Sequence, residues 1–444
     1  MTRFVLGSLF LNCQDQIYSE EYSDFIGNRS LIESKYALDC KQPLGAMFAS
    51  LYLKLSDGYE DGTVYGYYNI PKLFGLQDTG SMEASGILQV RENPDLKLDG
   101  SGVLIGFVDT GIDYAGSIFL KQDGTTRVIA IWDQTIPAES PIRLPELPTT
   151  LENITRTPEG FLYGSEFTHE QLNAAVKMED AYEGISSRDE NGHGTFLASI
   201  AAGNELPDGS FTGAAPKADI AMVKLKPAKN RLRAYYQIKE DAVAYQENDI
   251  MAGVLYLVSL AKKRQQQLVI CLGLGTNAGS HRGSLPLARM LEELGSSVGI
   301  TIVAGTGNET SRGHHFEGQI SSESGYEDVE IRVAEGENGF FLELWASAPE
   351  TYSVAIRSPN GEVIPRIYVR PGRIEILNFA LAQTRVELSY RLSVTGTGEF
   401  LALLRFINIT PGVWTVRVYN DLFITGHYHM WLPIESFLRQ DTVF

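Results

Sequence analysis

The stretch Val103-Leu-Ile-Gly-Phe-Val-Asp-Thr-Gly-Ile-Asp113 decides the fold of this 444-residue chain. Its first six residues form a continuous apolar run, which is typical of a strand buried on both faces of a parallel sheet. Asp109 follows that run directly, and Gly111 permits a sharp turn. Functional side chains collect at the carboxyl ends of strands in open α/β sheets. Taken alone, however, Asp109 is first of all a turn-forming residue.

Similar apolar runs recur along the chain, separated by helix-like stretches. The runs lie at 220–225, 268–274 and 300–304, and the stretches lie at 194–202, 241–264 and 285–298. This alternation predicts an α/β domain with a parallel sheet and right-handed crossovers. A further helix-like segment is predicted at 81–90. Residues 1–80 read as a small α+β unit.

The chain beyond residue 324 has a different pattern of apolar and polar residues. Five segments alternate apolar and polar residues with period two, at 329–333, 341–345, 352–356, 385–390 and 413–418. Short strands of this kind, separated by Gly, Pro and Asn turns, predict an antiparallel sandwich or jelly roll. The tryptophans in this region, Trp345, Trp414 and Trp431, are expected in its core.

Composition narrows the function classes. The 37 basic and 55 acidic residues give a net charge of −18, which disfavours nucleic-acid partners. No apolar run approaches the roughly 18–20 residues of a membrane-spanning helix. The cysteines Cys13, Cys40 and Cys271 are too few and scattered for a disulfide framework or a zinc site. The first thirteen residues fit a buried strand better than a secretory signal, because Asn12 suits a small-residue cleavage site poorly.

His193 is the histidine best placed for chemistry. It lies between Gly192 and Gly194 at a helix start, and these glycines leave the imidazole accessible. A buried structural histidine is the alternative. In Gly305-Thr-Gly-Asn308, an asparagine after a strand and two glycines can aim an amide donor into a cleft, although Gly-Asn alone is simply a turn. Such a donor stabilises a developing oxyanion by roughly 2.7–4 kcal/mol.

Together these motifs resemble the subtilases, the subtilisin-like serine endopeptidases. The resemblance rests on Asp-Thr-Gly-Ile-Asp at 109–113, Asn-Gly-His-Gly-Thr at 191–195 and Gly-Thr-Gly-Asn at 305–308. It is nearest to a clostridial branch, the Csp-type germination proteases. The residues that suggest this branch lie at 19–24, 84–88, 131–135 and 274–281.

The resemblance implies a subtilisin-like parallel sheet flanked by helices, with a prosegment-like α+β unit at 1–80. The catalytic domain would span 81–323, a jelly-roll insertion 324–434, and the return to the catalytic domain would begin at 435–444. Asp109 would orient the imidazole, His193 would be the general base and then acid, and Asn308 would serve the oxyanion hole.

The resemblance also implies that Gly273-Leu274-Gly275 pairs with an extended peptide substrate. Gly273 takes the place of a more usual serine there, a change expected to matter little if only its backbone binds.

The serine motif of the family, Gly-Thr-Ser-x-Ala, is not found after any Gly-Thr pair of this sequence. We expect the sequence as given to lack the segment that carries the nucleophile, through truncation or a split gene. A natural pseudoprotease is the second explanation, and a hydrolase with another nucleophile is the third. Ser280, Ser284 and Ser311 lie near the expected cleft, and each also reads as a loop or cap residue.

The leading prediction is therefore a serine endopeptidase whose sequence as given is inactive. The alternative is a non-catalytic binding or regulatory protein. Expected partners are a peptide or protein substrate and the chain's own prosegment, without nucleic acid or a membrane span. No cofactor is expected; calcium is compatible with the resemblance, but no ligands are assigned. The expected location is cytoplasmic or spore-associated in a Firmicute-like bacterium, with secretion left open.

Overall fold

A computed structural model describes residues 13–36, 40–54, 66–76, 98–144, 154–207, 211–321, 323–422 and 425–444. Two expectations lie outside these ranges. They are the helix-like segment at 81–90 and the N-terminal strand or signal before Cys13.

The N-terminal unit is a three-stranded antiparallel sheet with two short helices. The helices are Cys13–Tyr18 and Arg29–Lys35, and the strands are Tyr22–Asn28 (β1), Lys41–Leu44 (β2) and Phe48–Lys54 (β3), in the order β1-β3-β2. The Asn28 side chain accepts hydrogen bonds from the amides of Ser30 and Leu31, which starts the second helix.

A disulfide joins Cys13 to Cys40 within this unit. The sequence argued against a disulfide framework, and this single bond between Cys13 and Cys40 was not predicted. Residues 27 positions apart in sequence are brought together because the first helix packs beside the sheet.

The central sheet has six strands and is mixed rather than wholly parallel. Three short strands, described below with the site, are Leu73–Leu76 (β4), Tyr245–Gln246 (β9) and Leu274–Gly275 (β11). The six are Val103–Asp109 (β5), Val128–Asp133 (β6), Ser165–Thr168 (β7), Asp219–Lys224 (β8), Gln267–Leu272 (β10) and Ile300–Ala304 (β12). Their order is β12-β10-β5-β8-β6-β7, and only β6 and β7 are antiparallel.

Helices cover both faces of this sheet around β5, which explains its unbroken apolar run. The helices are His169–Val176, Ala181–Gly184, His193–Ala202, Asn230–Tyr236, Glu247–Arg264 and Pro286–Gly295. On one face Leu104 and Val108 belong to the core cluster of helix Glu247–Arg264, and on the other Phe107 shares a cluster with Leu197 of helix His193–Ala202. The longest helix begins at Glu247 rather than the expected 241, because β9 directly before it is extended.

The sheet is open toward β12. Ile300 and Ile302 of that strand point to the face that carries helix Pro286–Gly295 and are half-buried. On the opposite face Thr301 and Val303 are exposed, and the neighbouring Val269 and Cys271 of β10 are only half-buried. Val303 is 51% exposed. An apolar part of this face is therefore uncovered in the described structure.

Residues from His315 onward form two antiparallel sheets with one shared core. One sheet contains His315–Ile320 (β13), Gly339–Ala346 (β15), Ile374–Phe379 (β18), Thr384–Arg391 (β19), Phe400–Ile407 (β20) and Gly426–Trp431 (β22). The other contains Tyr326–Val333 (β14), Tyr352–Arg357 (β16), Val363–Ile367 (β17) and Gly412–Asn420 (β21), in the order β14-β21-β16-β17. This sandwich begins before the expected boundary at 324, because β13 pairs with β22.

Of the three tryptophans expected in the sandwich core, only Trp414 belongs to it among the described residues, whereas Trp345 is buried in the cluster that joins the sandwich to Tyr67 and Tyr236. Trp345 is 3% exposed and Trp414 is fully buried. Trp431 is instead half-buried and stacks between the rings of His281 and His315. No helix in the described ranges has both the length and the apolar character needed to cross a membrane.

Candidate active site

Asp109 and His193 form a hydrogen-bonded pair at the carboxyl end of β5. The Nδ1 of His193 lies 2.7 Å from the Oδ1 of Asp109. The carboxylate is almost fully buried, and the imidazole is 14% exposed. The amide of Thr110 also donates to Oδ1, at 2.8 Å. A buried carboxylate in this position fixes the imidazole orientation and stabilises its protonated form.

Asp189 accepts hydrogen bonds from both of the segments that carry this pair. Its Oδ1 accepts from the hydroxyl of Thr110 at 2.7 Å and from the amide of Gly192 at 2.8 Å. Its Oδ2 accepts from the amide and the hydroxyl of Thr195, at 2.9 and 2.6 Å. Burial acts to raise the pKa of Asp189, but these hydrogen bonds outweigh burial and hold the pKa below its ordinary value. This role was not predicted from the sequence, although Asp189 lies only four residues before His193.

Gly194 serves close packing rather than exposure of the imidazole. A Cβ built on Gly194 would lie 2.2 Å from the carbonyl oxygen of Gly111. The expectation that the flanking glycines leave His193 accessible is therefore wrong for Gly194. Its missing side chain lets the helix start approach the turn after Asp109.

Gly273 packs directly against the pair. A Cβ built there would lie 2.4 Å from Cδ1 of Leu197 and 3.1 Å from Cε1 of His193. The expectation that glycine matters little for binding a substrate backbone stays a prediction, but the packing gives this glycine a second role, because the space that a side chain needs is occupied. The missing Cβ lets the chain after β10 pass close to the imidazole.

The expected peptide-binding strand is already paired within the chain. Leu274 and Gly275 of β11 pair with Leu76 and Gly75 of β4 in antiparallel fashion. On its other side, β4 pairs with β9 at Leu73–Gln246 and Phe74–Tyr245. We call the space between β9 and β11 the groove. Residues 73–76 occupy this groove as the middle strand of a three-stranded sheet.

The occupant is anchored by burial. Leu73 and Phe74 are 3% and 7% exposed. Lys72 is fully buried, and its Nζ donates to the carbonyls of Tyr67 and Ile70 at 2.8 and 2.6 Å. The amide of Lys72 donates to the buried carboxylate of Glu247 at 3.2 Å, which ties the occupant to the start of the longest helix.

A cavity of about 490 Å³ lies beside the pair and β9. Thr110, Asn191, Tyr245 and an ion pair between Lys224 and Glu190 line it, with Nζ and Oε2 separated by 2.7 Å. Burial, followed by the negative charge of Asp109, raises the pKa of Tyr245. This cavity is large enough to accept part of a peptide side chain.

Asn308 lies at the same edge of the sheet as the pair. The strands β5, β10 and β12 are parallel neighbours, so the segments after Asp109, Leu272 and Ala304 emerge side by side. The Asn308 side chain is exposed.

Among the candidate alternative nucleophiles, Ser280 and Ser284 are engaged with each other and Cys271 is poorly activated. The hydroxyls of Ser280 and Ser284 are buried and hydrogen-bond to each other at 2.8 Å. Ser311 has a left-handed backbone, with φ of 62°. Burial, together with the charge of Asp109, raises the pKa of the Cys271 thiol to about 11. A thiol with this pKa is a weak nucleophile at neutral pH.

Within the described ranges, no three or more His, Cys, Asp or Glu side chains are placed to hold a metal ion. The possibility of calcium therefore gains no ligand set from these residues.

Comparison with known proteins identifies the family. The model of the subtilase family matches residues 100–339. The subtilisin-like protease SBT3.8 of Arabidopsis thaliana is 31% identical over 133 residues, which are 28% of this chain and 16% of that protein. The CspB protease of Clostridium perfringens has a similar structure, with a TM-score of 0.66 and 26% identity over 82% of this chain and 67% of that one. The matched region contains both Asp109 and His193, and the chain belongs to the subtilase family, close to the Csp type.

Proposed function

We propose that this protein acts as a serine endopeptidase that hydrolyses peptide bonds through an acyl-enzyme. The observation that carries the proposal is the 2.7 Å hydrogen bond between buried Asp109 and His193 beside a strand able to pair with an extended peptide. His193 takes the proton of the nucleophile and then gives it to the leaving amine, while Asp109 stabilises the imidazolium. Asn308 donates to the oxyanion, and 273–275 holds the substrate backbone.

We infer that the nucleophilic serine lies on a segment that packs over the open face of the central sheet. The support is the surface at Val269, Cys271, Thr301 and Val303, which none of the described residues covers, since the faces of parallel sheets are normally covered. A helix seated there would lie near the carboxyl ends of β5 and β10. The pair and the serine would then meet at one edge of the sheet.

The N-terminal unit is proposed to be a prosegment that stays bound to the catalytic domain. Two observations support this. The strand β4 occupies the groove, and Asp24 of β1 forms a buried ion pair with Lys229, with Oδ1 and Nζ separated by 2.5 Å. The second carboxylate oxygen of Asp24 accepts from Gln246 and Asn248, at the end of β9 and the start of the longest helix.

A second candidate is a non-catalytic binding or regulatory protein, and the firmness of the self-bound strand favours it. Tyr67, six residues before β4, donates from its hydroxyl to the buried Glu343 of the sandwich. Glu343 also accepts from the amide of Gly279 at 2.8 Å and from the indole of Trp345 at 2.7 Å. A groove held shut by three parts of the chain would suit a protein that binds without cutting.

A fluorophosphonate probe distinguishes these candidates. The purified chain is treated beside a version extended through the downstream coding sequence, and the same extended version with His193→Ala is the control. Labelling of the extended version alone, abolished by His193→Ala, supports the endopeptidase. Absence of labelling in both, with no serine motif downstream, supports the binding protein. Labelling of the 444-residue chain would contradict the inference about the nucleophile.

A further inference from the structure

The outer face of the four-stranded sheet carries a depression of about 320 Å³, far from the groove in sequence. We call it the outer depression. Its floor is made of small or short side chains, since Ala355 and Thr415 are buried there. The register explains this shape, because Ala355 lies opposite Arg417 while Arg357 lies opposite Thr415. Longer side chains therefore surround a floor of short ones.

Three guanidinium groups line the outer depression, those of Arg357, Arg366 and Arg417. One carboxylate, that of Asp328, lines it with them. This concentration of positive charge stands on a protein whose net charge is −18. Carboxylates pair with two of these guanidinium groups, so the unneutralised positive charge of the outer depression is that of Arg357.

Two of the three arginines already have carboxylate partners. Arg417 makes a bidentate pair with Asp328, with N–O distances of 2.6 and 2.7 Å. Arg366 pairs with Asp421 at 2.6 Å, and its guanidinium lies 4.4 Å from the ring centre of Tyr419. These pairs fix both side chains along the rim, so they are structural as well as electrostatic.

Arg357 differs from the other two. Its guanidinium donates to the Thr415 hydroxyl at 3.1 Å, and no carboxylate of the described residues lies within ion-pair distance of it. Its positive charge nevertheless acts on the carboxylate of Asp328. The hydrogen bond from Arg417 holds the pKa of Asp328 below its ordinary value, and the charges of Arg417 and Arg357 act in the same direction.

We propose that the outer depression binds a small ligand through a carboxylate group, which the guanidinium of Arg357 binds with two parallel hydrogen bonds, while the ion-paired Arg366 and Arg417 form the rim of the site. A guanidinium matches a carboxylate in planar, bidentate geometry, and its charge is always present. A volume of about 320 Å³ is at the lower end of small-molecule sites. The carboxylate belongs either to an acidic sugar or to the C-terminus of a short peptide.

Matched probe pairs test the carboxylate and separate its two sources. Dissociation constants are measured by ligand-observed NMR on the full chain, for glucuronate against glucose and for N-acetylalanine against its amide. Binding of glucuronate but not of glucose indicates an acidic sugar. Binding of N-acetylalanine but not of its amide indicates a peptide terminus. Binding of neither acid, or equal binding of acid and neutral probes, overturns the proposal.

Variants locate the site. Arg357→Gln should weaken binding of the acidic probe at least about tenfold, because a hydrogen-bonded charge partner is lost. Since Arg357 has no described carboxylate partner, this change leaves none unpaired and the fold should persist, as circular dichroism will verify. Arg357→Lys keeps the positive charge but loses the planar pair of donors. Its affinity for the acidic probe should lie between those of Arg357→Gln and the unchanged protein.

The control is Arg332→Gln, which changes an exposed arginine on the same sheet outside the outer depression. It should bind within twofold of the unchanged protein. Equal binding by Arg357→Gln and the unchanged protein, or an equal loss in both variants, would overturn the assignment to Arg357.

Discussion

Asp189 shows how one side chain holds two catalytic segments in register. It accepts hydrogen bonds from Thr110, directly after Asp109, and from Thr195, two residues after His193. A residue of this kind positions chemistry without taking part in it, and its loss should be visible in stability as well as in activity.

Asp189→Asn should lower the free energy of unfolding by about 1–3 kcal/mol at pH 7, because hydrogen bonds to a charged group are lost. The folded pKa of Asp189 is below its unfolded value, so this contribution is fully present above about pH 4. It is lost as the pH falls through that value toward the folded pKa. Urea unfolding at pH 7 and at pH 3 should therefore show a difference between the two proteins that shrinks in acid. The exposed Asp241→Asn is the control, and an equal difference at both pH values would contradict this account.

Gly273→Ala should destabilise the protein by about 1–3 kcal/mol, because the new methyl group meets Leu197 and His193. Gly295→Ala is the matched control, since its nearest non-local neighbour is 3.8 Å away and its φ is not left-handed. That change should be neutral or slightly stabilising. Equal midpoints in urea for Gly273→Ala and the unchanged protein would show that Leu197 moves aside without cost.

At this scale the sequence was sufficient to find Asp109 and His193, because each follows a recognisable motif. It was insufficient for Gly273 and Asp189. The importance of Gly273 arises from Leu197, a residue 76 positions earlier that reaches it only through the packing of a helix on the sheet. The role of Asp189 arises from hydrogen bonds to two separate segments, which no local pattern records.

Among the elements, β4 has the largest functional consequence. It is four residues long, and both of its edges are paired, with β9 and with β11. The family resemblance implied that Gly273-Leu274-Gly275 pairs with a peptide. It could not predict that residues 73–76 take the place of that peptide, because antiparallel pairing over such a separation leaves no periodic signal.

Phe74→Ala should loosen the groove as well as the fold. Deleting a buried aromatic side chain costs about 3–5 kcal/mol, and the lost packing lies on β4 itself. Hydrogen exchange should therefore become faster at the backbone amides of β9 and β11 than at those of β5. Phe379→Ala removes an equally large buried ring from the sandwich, and it should lower stability without this local pattern. The same exchange pattern in both variants would contradict a specific role for Phe74.

The helices show where local pattern and tertiary pairing compete. The apolar periodicity that suggested a helix from 241 to 264 holds only from Glu247. The residues before it contribute β9, whose backbone pairs with β4. Tertiary pairing thus decides the helix start, whereas the apolar runs of β5 and β12 predicted the bounds of these strands to within a residue.

At the scale of the whole molecule, the pattern of apolar and polar residues predicted the order of the parts. An α+β unit comes first, an α/β domain next and a sandwich last. The contacts between these parts could not be predicted from the sequence. Tyr67, Gly279 and Glu343 come from three different parts and meet at one buried carboxylate. The cysteine pair was likewise invisible, because only the folded N-terminal unit brings Cys13 and Cys40 together.

The disulfide is open to a direct test. Alkylation of the unfolded, unreduced protein should label one cysteine, Cys271, and labelling after reduction should reach all three. The double change Cys13→Ser and Cys40→Ser should lower the free energy of unfolding by about 3–4 kcal/mol, given a loop of 27 residues and the chain-entropy account of cross-links. Three labels before reduction would exclude the bond.

The middle position of β4 has a consequence for the order of events during synthesis. A ribosome releases residues 73–76 long before residues 245–246 and 274–275. The strand β4 is therefore present before β9 and β11, the two strands that form the groove around it. These two strands then assemble on a strand that is covalently part of the same chain. A peptide from outside must compete with β4, which is covalently attached and therefore present at high effective concentration. Cleavage of the chain next to β4 would turn this strand into a separate ligand that can dissociate.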